Sequence, residues 1–331
     1  MQEGGEYARK TQNRRTRALT LFLCVFQGSG FLKAMSSVLP QMSSMVYFTT
    51  IIFWTAGAMF MLWLGEQISE KGIGNGVSIM IFAGIIVSIP NQFSRMFKGV
   101  GSEAISVFQI IGLVAIFLAS TWLVVLFTTA QRRIPIKHAR RQIGTKQLGG
   151  ASSYLPLSLN MTGVIPIIFA VSLISMPSQF AQMTQGMPAV RDAFQTMAEY
   201  LNPAGPFPKG FIACAIYTLL IFFFTYFYTA IQYNVEDISN NLKRGGSLIP
   251  GVRPGKQTKD FLDDIISKVT IVGAGFLSIV ALMQYLTPSI VRLQQGSYSL
   301  VGGTSLLIMV SVALETVRQL EANLLMKHYN N

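Results

Sequence analysis

Catalysis needs proton donors, nucleophiles or metal ligands held close together, and in this 331-residue chain such groups are sparse. None of its 14 carboxylates falls at the middle of an apolar run; Glu66 and Glu315 stand near run ends. A carrier driven by protons or sodium keeps ionisable groups at mid-membrane, so this pattern argues against one. His138 and His328 both stand in polar segments, and no HExxH zinc motif occurs. No GxxxxGK[ST] phosphate loop is present either, so no ATP-driven step is legible in the chain itself. The run Gly72-Ile-Gly-Asn-Gly76 has the glycine spacing of a dinucleotide turn, but it follows an apolar helical stretch instead of a strand. Asn160-Met-Thr162 matches a glycosylation sequon inside a segment read as cytoplasmic, so it carries no weight. Cys24 and Cys214 lie in apolar runs and read as packing residues; no disulfide framework, metal or cofactor is expected.

The unusual chemistry lies in residues 239–258, Ser-Asn-Asn-Leu-Lys-Arg-Gly-Gly-Ser-Leu-Ile-Pro-Gly-Val-Arg-Pro-Gly-Lys-Gln-Thr, between two long apolar runs. Pro250 and Pro254 each remove a backbone donor and restrict the preceding residue. Four glycines permit turns that side chains resist. The stretch reads as a shaped turn presenting Lys243, Arg244, Arg253 and Lys256; composition alone also fits an ordinary basic loop.

Composition sets the elements that must hold this turn. The chain is 51% hydrophobic and 12% charged, with mean hydropathy +0.46. Soluble domains carry about 25% charged residues, so the fold class is an all-α polytopic membrane protein. Eight transmembrane helices are expected at 18–39, 46–64, 77–89, 105–130, 161–181, 210–231, 269–286 and 302–317. The run 77–89 is short for a bilayer and Pro90 is expected to end it, so it should be flanked by protein or line a cavity. Pro166 and Pro177 are expected to kink the fifth helix and free carbonyls that need protein or water partners. Residues 1–17 are basic and hold no apolar run, so no cleavable leader is read there. With eight crossings both termini share a side. Of the 26 lysines and arginines, 20 then fall on that side and six on the other. Basic loops face the cytoplasm, so the termini and the segments 131–160 and 233–268 are expected there. The net charge of +12 is accounted for by topology, without nucleic acid.

Several longer motifs then occur in one order. They are Phe60-Met-Leu-Trp-Leu-Gly-Glu-Gln-Ile-Ser-Glu-Lys-Gly-Ile-Gly-Asn-Gly76, Gln131-Arg-Arg133, Leu155-Pro-Leu157 with Asn160-Met-x-Gly-Val-Ile-Pro166, Ile249-Pro-Gly-Val-Arg-Pro-Gly-Lys-Gln-Thr258, Gly302-Gly-Thr-Ser-Leu-Leu-Ile308 and Leu325-Met-Lys-His-Tyr329. Together they resemble the SecY family, the protein-conducting channels of bacterial Sec translocons, over about residues 3–331. That family has ten helices in two pseudo-symmetric halves. The eight here resemble its third to tenth, so the first two and the plug between them are expected to be missing, through a shortened or split gene, a displaced start or a partial chain. The resemblance divides the chain into 1–90, the remainder of the first half with three helices; 91–104, a hinge segment; and 105–331, the second half with five helices.

The resemblance implies a passive channel, not an enzyme: the central pore-forming subunit of the Sec preprotein translocase in the bacterial plasma (inner) membrane. Unfolded secretory proteins pass through it and membrane proteins leave sideways into lipid. Its apolar pore ring maps to Val77, Ile81, Ile168 and Ile308, which by residue type alone are ordinary core aliphatics. Water wets such a collar poorly, while aliphatic side chains yield around a passing chain. The lateral gate maps to the spans starting at Ala18, Met161 and Gly210, with Gln27 and Ser172 on the seam; an interhelical hydrogen bond is the alternative role of Gln27. Docking of the SecA motor ATPase or the ribosome maps to Arg253 framed by Pro254 and Gly255, with Arg140 and Arg141 in the other basic segment. Arginine pairs bidentately with carboxylate or phosphate, so one surface suits a protein motor or ribosomal RNA. The further implied partners are SecE and SecG, signal sequences and nascent or unfolded polypeptides, SecDF, YidC and membrane lipid. The competing readings are a secondary transporter, which also has broken helices, and a non-functional fragment of the channel.

Overall fold

A computed structural model describes residues 5–35, 43–101, 106–138, 141–143, 146–148, 152–184, 187–291 and 303–330. In chain order the elements are α1 (Gly5–Met35), α2 (Ser44–Lys71), α3 (Gly76–Gly101), α4 (Val107–Thr129), β1 (Gln131–His138), β2 (Arg141–Ile143), β3 (Lys146–Leu148), β4 (Ser152–Ser158), α5 (Ile165–Met183), α6 (Pro188–Tyr200), α7 (Lys209–Gln232), α8 (Val235–Arg244), β5 (Ser247–Leu248), α9 (Lys256–Val291) and α10 (Gly303–Asn330).

The protein is mostly helical, and among the described residues six segments are long and apolar enough to cross a membrane. They are α2, α3, α4, α5, the α7–α8 segment and α9. α1 and α10 are helical but are not among the six. Such helices bury hydroxyls by turning them onto their own backbone. Ser120 Oγ donates to the Ile116 carbonyl at 2.7 Å, Thr229 Oγ1 to Thr225 at 2.7 Å and Ser278 Oγ to Ala274 at 2.8 Å.

Four sequence expectations are corrected. The fold is not all-α: two small antiparallel sheets, ordered β4-β1-β5 and β2-β3, occupy the basic segments. Pro90 does not end the third helix, because α3 runs through it to Gly101. Proline removes one backbone donor and bends a helix, and flanking turns can carry the helix on. Pro166 sits in the first turn of α5, where the absent N–H has no intrahelical partner to lose; only Pro177 is interior. The last helix does not stop near residue 317, since α10 is helical through Asn330.

Contacts gather the chain into two compact units. The first holds the described residues within 1–87, 172–213 and 312–331. In it α1 packs along α2: the Phe31 and Trp54 rings lie 5.5 Å apart, and Tyr47 Oη donates to the Ser29 carbonyl at 3.3 Å. Arg17 on α1 is ion-paired with Glu66 on α2. The glycine run after α2 is a close crossing and not a nucleotide turn. Ser69 Oγ donates to the Gly65 carbonyl at 2.9 Å and accepts the Gly76 N–H at 2.8 Å. A Cβ on Gly76 would overlap the Gly65 carbonyl, so only glycine lets α3 start there. Asn75 caps α3, its Oδ1 accepting from Ser78 N at 3.2 Å.

The second unit holds the described residues within 88–171 and 214–311. Here α4 packs on α9 through the stacked rings of Phe127 and Phe276, 4.2 Å between centroids. α9 is the most buried of the spans, with Leu277, Val280 and Ala281 fully enclosed.

Candidate docking platform, pore residues and gate groove

The two basic segments, about a hundred residues apart in sequence, are built into one platform in the second unit. β1 leaves α4 through Ala130, whose carbonyl accepts from Leu159 N at 3.0 Å. β1 and β4 then run antiparallel with Gln131 opposite Ser158 and Lys137 opposite Ser152. β5 adds to the free edge of β1, pairing Leu248 with Lys137 and Ser247 with His138. Alternation along β1 turns Ile134 and Ile136 inward and leaves Arg133, Pro135 and Lys137 exposed. Arg133 lies over the ring of Tyr154, 5.0 Å from its centre. Beneath the sheet, Ile134, Leu157, Met161, Val235, Ile249, Leu262, Ile266 and Val269 form one buried cluster.

The Ile249-to-Thr258 turn stands on that cluster. Ile249 is buried in it, and Val252 packs against its edge while its N–H bonds the Ile249 carbonyl at 3.1 Å. Gly251 and Gly255 have φ of 85° and 104°, values that L side chains strain to adopt. Three bonds clamp the far side. Ser239 Oγ donates to the Gly255 carbonyl at 3.2 Å, Thr258 Oγ1 to the Arg253 carbonyl at 2.9 Å, and Lys259 N to the Gly255 carbonyl at 3.1 Å. α8 buttresses the turn. Asn234 caps it, accepting from Glu236 N and Asp237 N, and acids in its first turn and bases in its last suit its dipole. Lys259 Nζ reaches Glu236 Oε2 at 2.9 Å, tying α9 to α8. Arg253 and Pro254 are exposed at the tip. Arg140 lies outside the described residues. Arg141 opens β2, opposite Leu148.

The four ring candidates divide between the units. Val77 and Ile81 stand one turn apart on α3 in the first unit, both part-exposed. Ile168, near the start of α5, and Ile308, near the start of α10, belong to the second. The two gate candidates both belong to the first unit but do not line the same groove. Gln27 lines a groove of about 430 Å³ in the first unit, walled by α1, α2 and the end of α5. α1 meets α5 there through Phe26 on Phe180, ring centres 5.7 Å apart, and through Gly30, where a Cβ would crowd Met183. Ser172 is exposed on α5 about three turns before Met183 and does not line the groove. Its polar walls from α5 are Gln179 and Gln182.

The family profile described as SecY matches residues 1–317. The chain belongs to the SecY family. The protein translocase subunit SecY of Thermotoga maritima is 39% identical over 331 residues, covering 98% of this chain and 72% of that protein. A solved structure of a protein-conducting channel superposes with a TM-score of 0.73 at 19% identity, over 97% of this chain and 75% of the other. The idle yeast Ssh1 complex bound to the yeast 80S ribosome gives 0.66 at 15% identity, over 95% and 73%.

In this SecY-family chain the sequence pointed to the exposed arginine but not to its support. Ile249 reads as one more apolar letter in the basic motif, yet it is the buried anchor of the turn. Gln179 and Gln182 carry no motif, because they fall in the polar end of an apolar run. Their spacing of three residues sets both on one face of α5, and that is the signal the sequence carries.

Proposed function

We propose the following working arrangement for this SecY-family protein, which is the pore-forming subunit of a protein translocase. It is a multi-pass membrane protein, and we assign eight crossings to α1, α2, α3, α4, α5, α7, α9 and α10. The bias of basic residues puts both ends of this chain and the docking platform on the cytoplasmic face of a bacterial inner membrane. Residues 1–90 and 105–331 act as two halves about the 91–104 segment. Val77, Ile81, Ile168 and Ile308 belong to an apolar collar that seals the pore against ions. Unfolded chains thread the collar, and apolar helices leave through the α1–α5 groove, where Gln27, Gln179 and Gln182 offer hydrogen bonds to a segment still carrying polar groups.

Energy comes from a partner at the platform, a SecA-type motor or the ribosome. SecE- and SecG-like subunits, SecDF and YidC complete the expected assembly. One observation carries the docking assignment: two remote basic segments share one sheet and one buried cluster, and from it a clamped turn projects Arg253. A flexible basic loop would lose ordering entropy on each encounter; a turn already held by three hydrogen bonds does not. Arg253→Glu reverses the charge at the tip without touching the cluster. Motor-dependent export through channels built on this chain should fall at least tenfold, in line with the loss of one charge-assisted contact of about 1.5–3 kcal/mol. Export at the unsubstituted rate would remove Arg253 from the docking surface.

A further inference from the structure

The helix α6 joins the end of α5 to the start of α7 and has no part in the platform, the collar or the groove. Its sequence is strongly two-faced. Val190, Phe194, Met197 and Leu201 recur at helical spacing, while Asp192, Gln195, Thr196 and Glu199 take the opposite side. Only part of the apolar face is covered. Phe194 stacks on Phe180 of α5 at 5.3 Å, whereas Met197 is 52% exposed and Val190 40% exposed.

The position of this face in the fold says what covers it. α5 has 19 residues, about 28 Å of helix, against a hydrocarbon thickness of roughly 30 Å, so its end falls at the bilayer boundary. Residues 184–187 alone separate that end from α6, and the Met187 N–H bonds the Thr184 carbonyl at 2.9 Å, which holds the end of α5 close to the start of α6. The start of α6 is therefore close to the headgroup layer. Its other end carries interfacial anchors. Lys209, the first residue of α7, reaches Glu199 at 3.0 Å and lies 4.9 Å over the Tyr200 ring. A lysine and a tyrosine paired at a span end mark the headgroup level. Phe207, 87% exposed, and Phe211, 70% exposed, add apolar surface just before and at the start of α7.

We propose that α6 is an interfacial helix whose Val190–Met197 face lies in the acyl–headgroup boundary of the leaflet that the end of α5 reaches. The occupant of that face is the lipid surface itself, and its chemistry is acyl chain below the apolar stripe and zwitterionic headgroup beside Asp192 and Glu199. Because Phe194 stacks on Phe180, the end of α5 beside the gate groove is thereby moored to the membrane surface.

The test uses the whole chain with Cys24→Ser and Cys214→Ser, carrying one cysteine at a time as Val190→Cys, Met197→Cys, Asp192→Cys or Gln195→Cys. Each is labelled with an environment-sensitive fluorophore and reconstituted in vesicles of phosphatidylcholine and phosphatidylglycerol. Lipid bearing a nitroxide at a shallow acyl position should quench the labels at 190 and 197 on the order of threefold more than those at 192 and 195, and aqueous iodide should show the reverse order, as an interfacial helix requires. Equal quenching at all four positions overturns the proposal. So does protection of 190 and 197 from both quenchers, which would mean that protein covers the face.

Discussion

Replacing Gly255 by alanine separates the shape of the docking turn from its charge. At φ 104° the residue sits where an L side chain is strained, yet a Cβ built there meets nothing within 4 Å, so the penalty is purely conformational. Sparsely populated backbone conformations cost about 1–3 kcal/mol, and the reduced freedom of the unfolded turn returns about 0.4–1 kcal/mol. Near the middle of both ranges the net loss is about 1–2 kcal/mol, a factor of roughly 5–30 in the population of the native turn. The bond from Lys259 N to the Gly255 carbonyl reports on that population directly. Hydrogen exchange of the segment from Ile249 to Leu262, followed by mass spectrometry on the reconstituted chain, should speed up by about the same 5–30-fold factor at the Lys259 amide. Arg253→Ala is the control. Its backbone carbonyl still accepts from Thr258, so exchange should stay at the parent rate while docking weakens. If Gly255→Ala leaves exchange within twofold of the parent, the turn is not held in the conformation described, and a rigid docking knob is refuted.

Leu262 is fully enclosed in the cluster under the sheet, so Leu262→Ala should cost about 2–5 kcal/mol of local stability, read as early proteolysis at the platform before the spans melt. Gly76→Ala places a methyl against the Gly65 carbonyl and should cost about 1–3 kcal/mol, read as a lower thermal midpoint in detergent; an unchanged midpoint would mean that α2 and α3 can slide apart freely. Replacing Ile81, Ile168 and Ile308 together with glycine should raise the resting ion conductance of vesicles holding the channel, because a widened, wetter constriction no longer excludes ions. An unaltered conductance would take these residues out of the collar.

Much of the architecture was legible because its causes are local. Apolar runs mark the spans at residues 46–64, 105–130, 210–231 and 269–286; helices α2, α7 and α9 cover the first, third and fourth, and α4 lies within the second. Each transfer into lipid is a sum over neighbours in sequence. Proline misled where its effect depends on context. Pro90 lies inside α3 and Pro166 inside the first turn of α5, since a missing donor matters only where the helix would have used it. The amphipathic period of α6 is readable in residues 188–201, between Pro188 and the prolines at 203, 206 and 208.

The candidate sites divide along the same line. Arg253, its flanking proline and glycine, and the basic segments were evident from residue type and motif. By itself the sequence determined the membrane class, the family resemblance and the charged tip, since hydropathy, charge and motif are properties of adjacent residues. Only the tertiary structure decided that β5, two residues long, would pair with β1 across about a hundred residues, that Ile249 would be buried beneath the tip, and that Gln179 and Gln182, not Ser172, would share a groove with Gln27. Strand pairing and groove lining depend on which backbones and side chains meet after folding, and a two-residue strand has no period from which to read its partner.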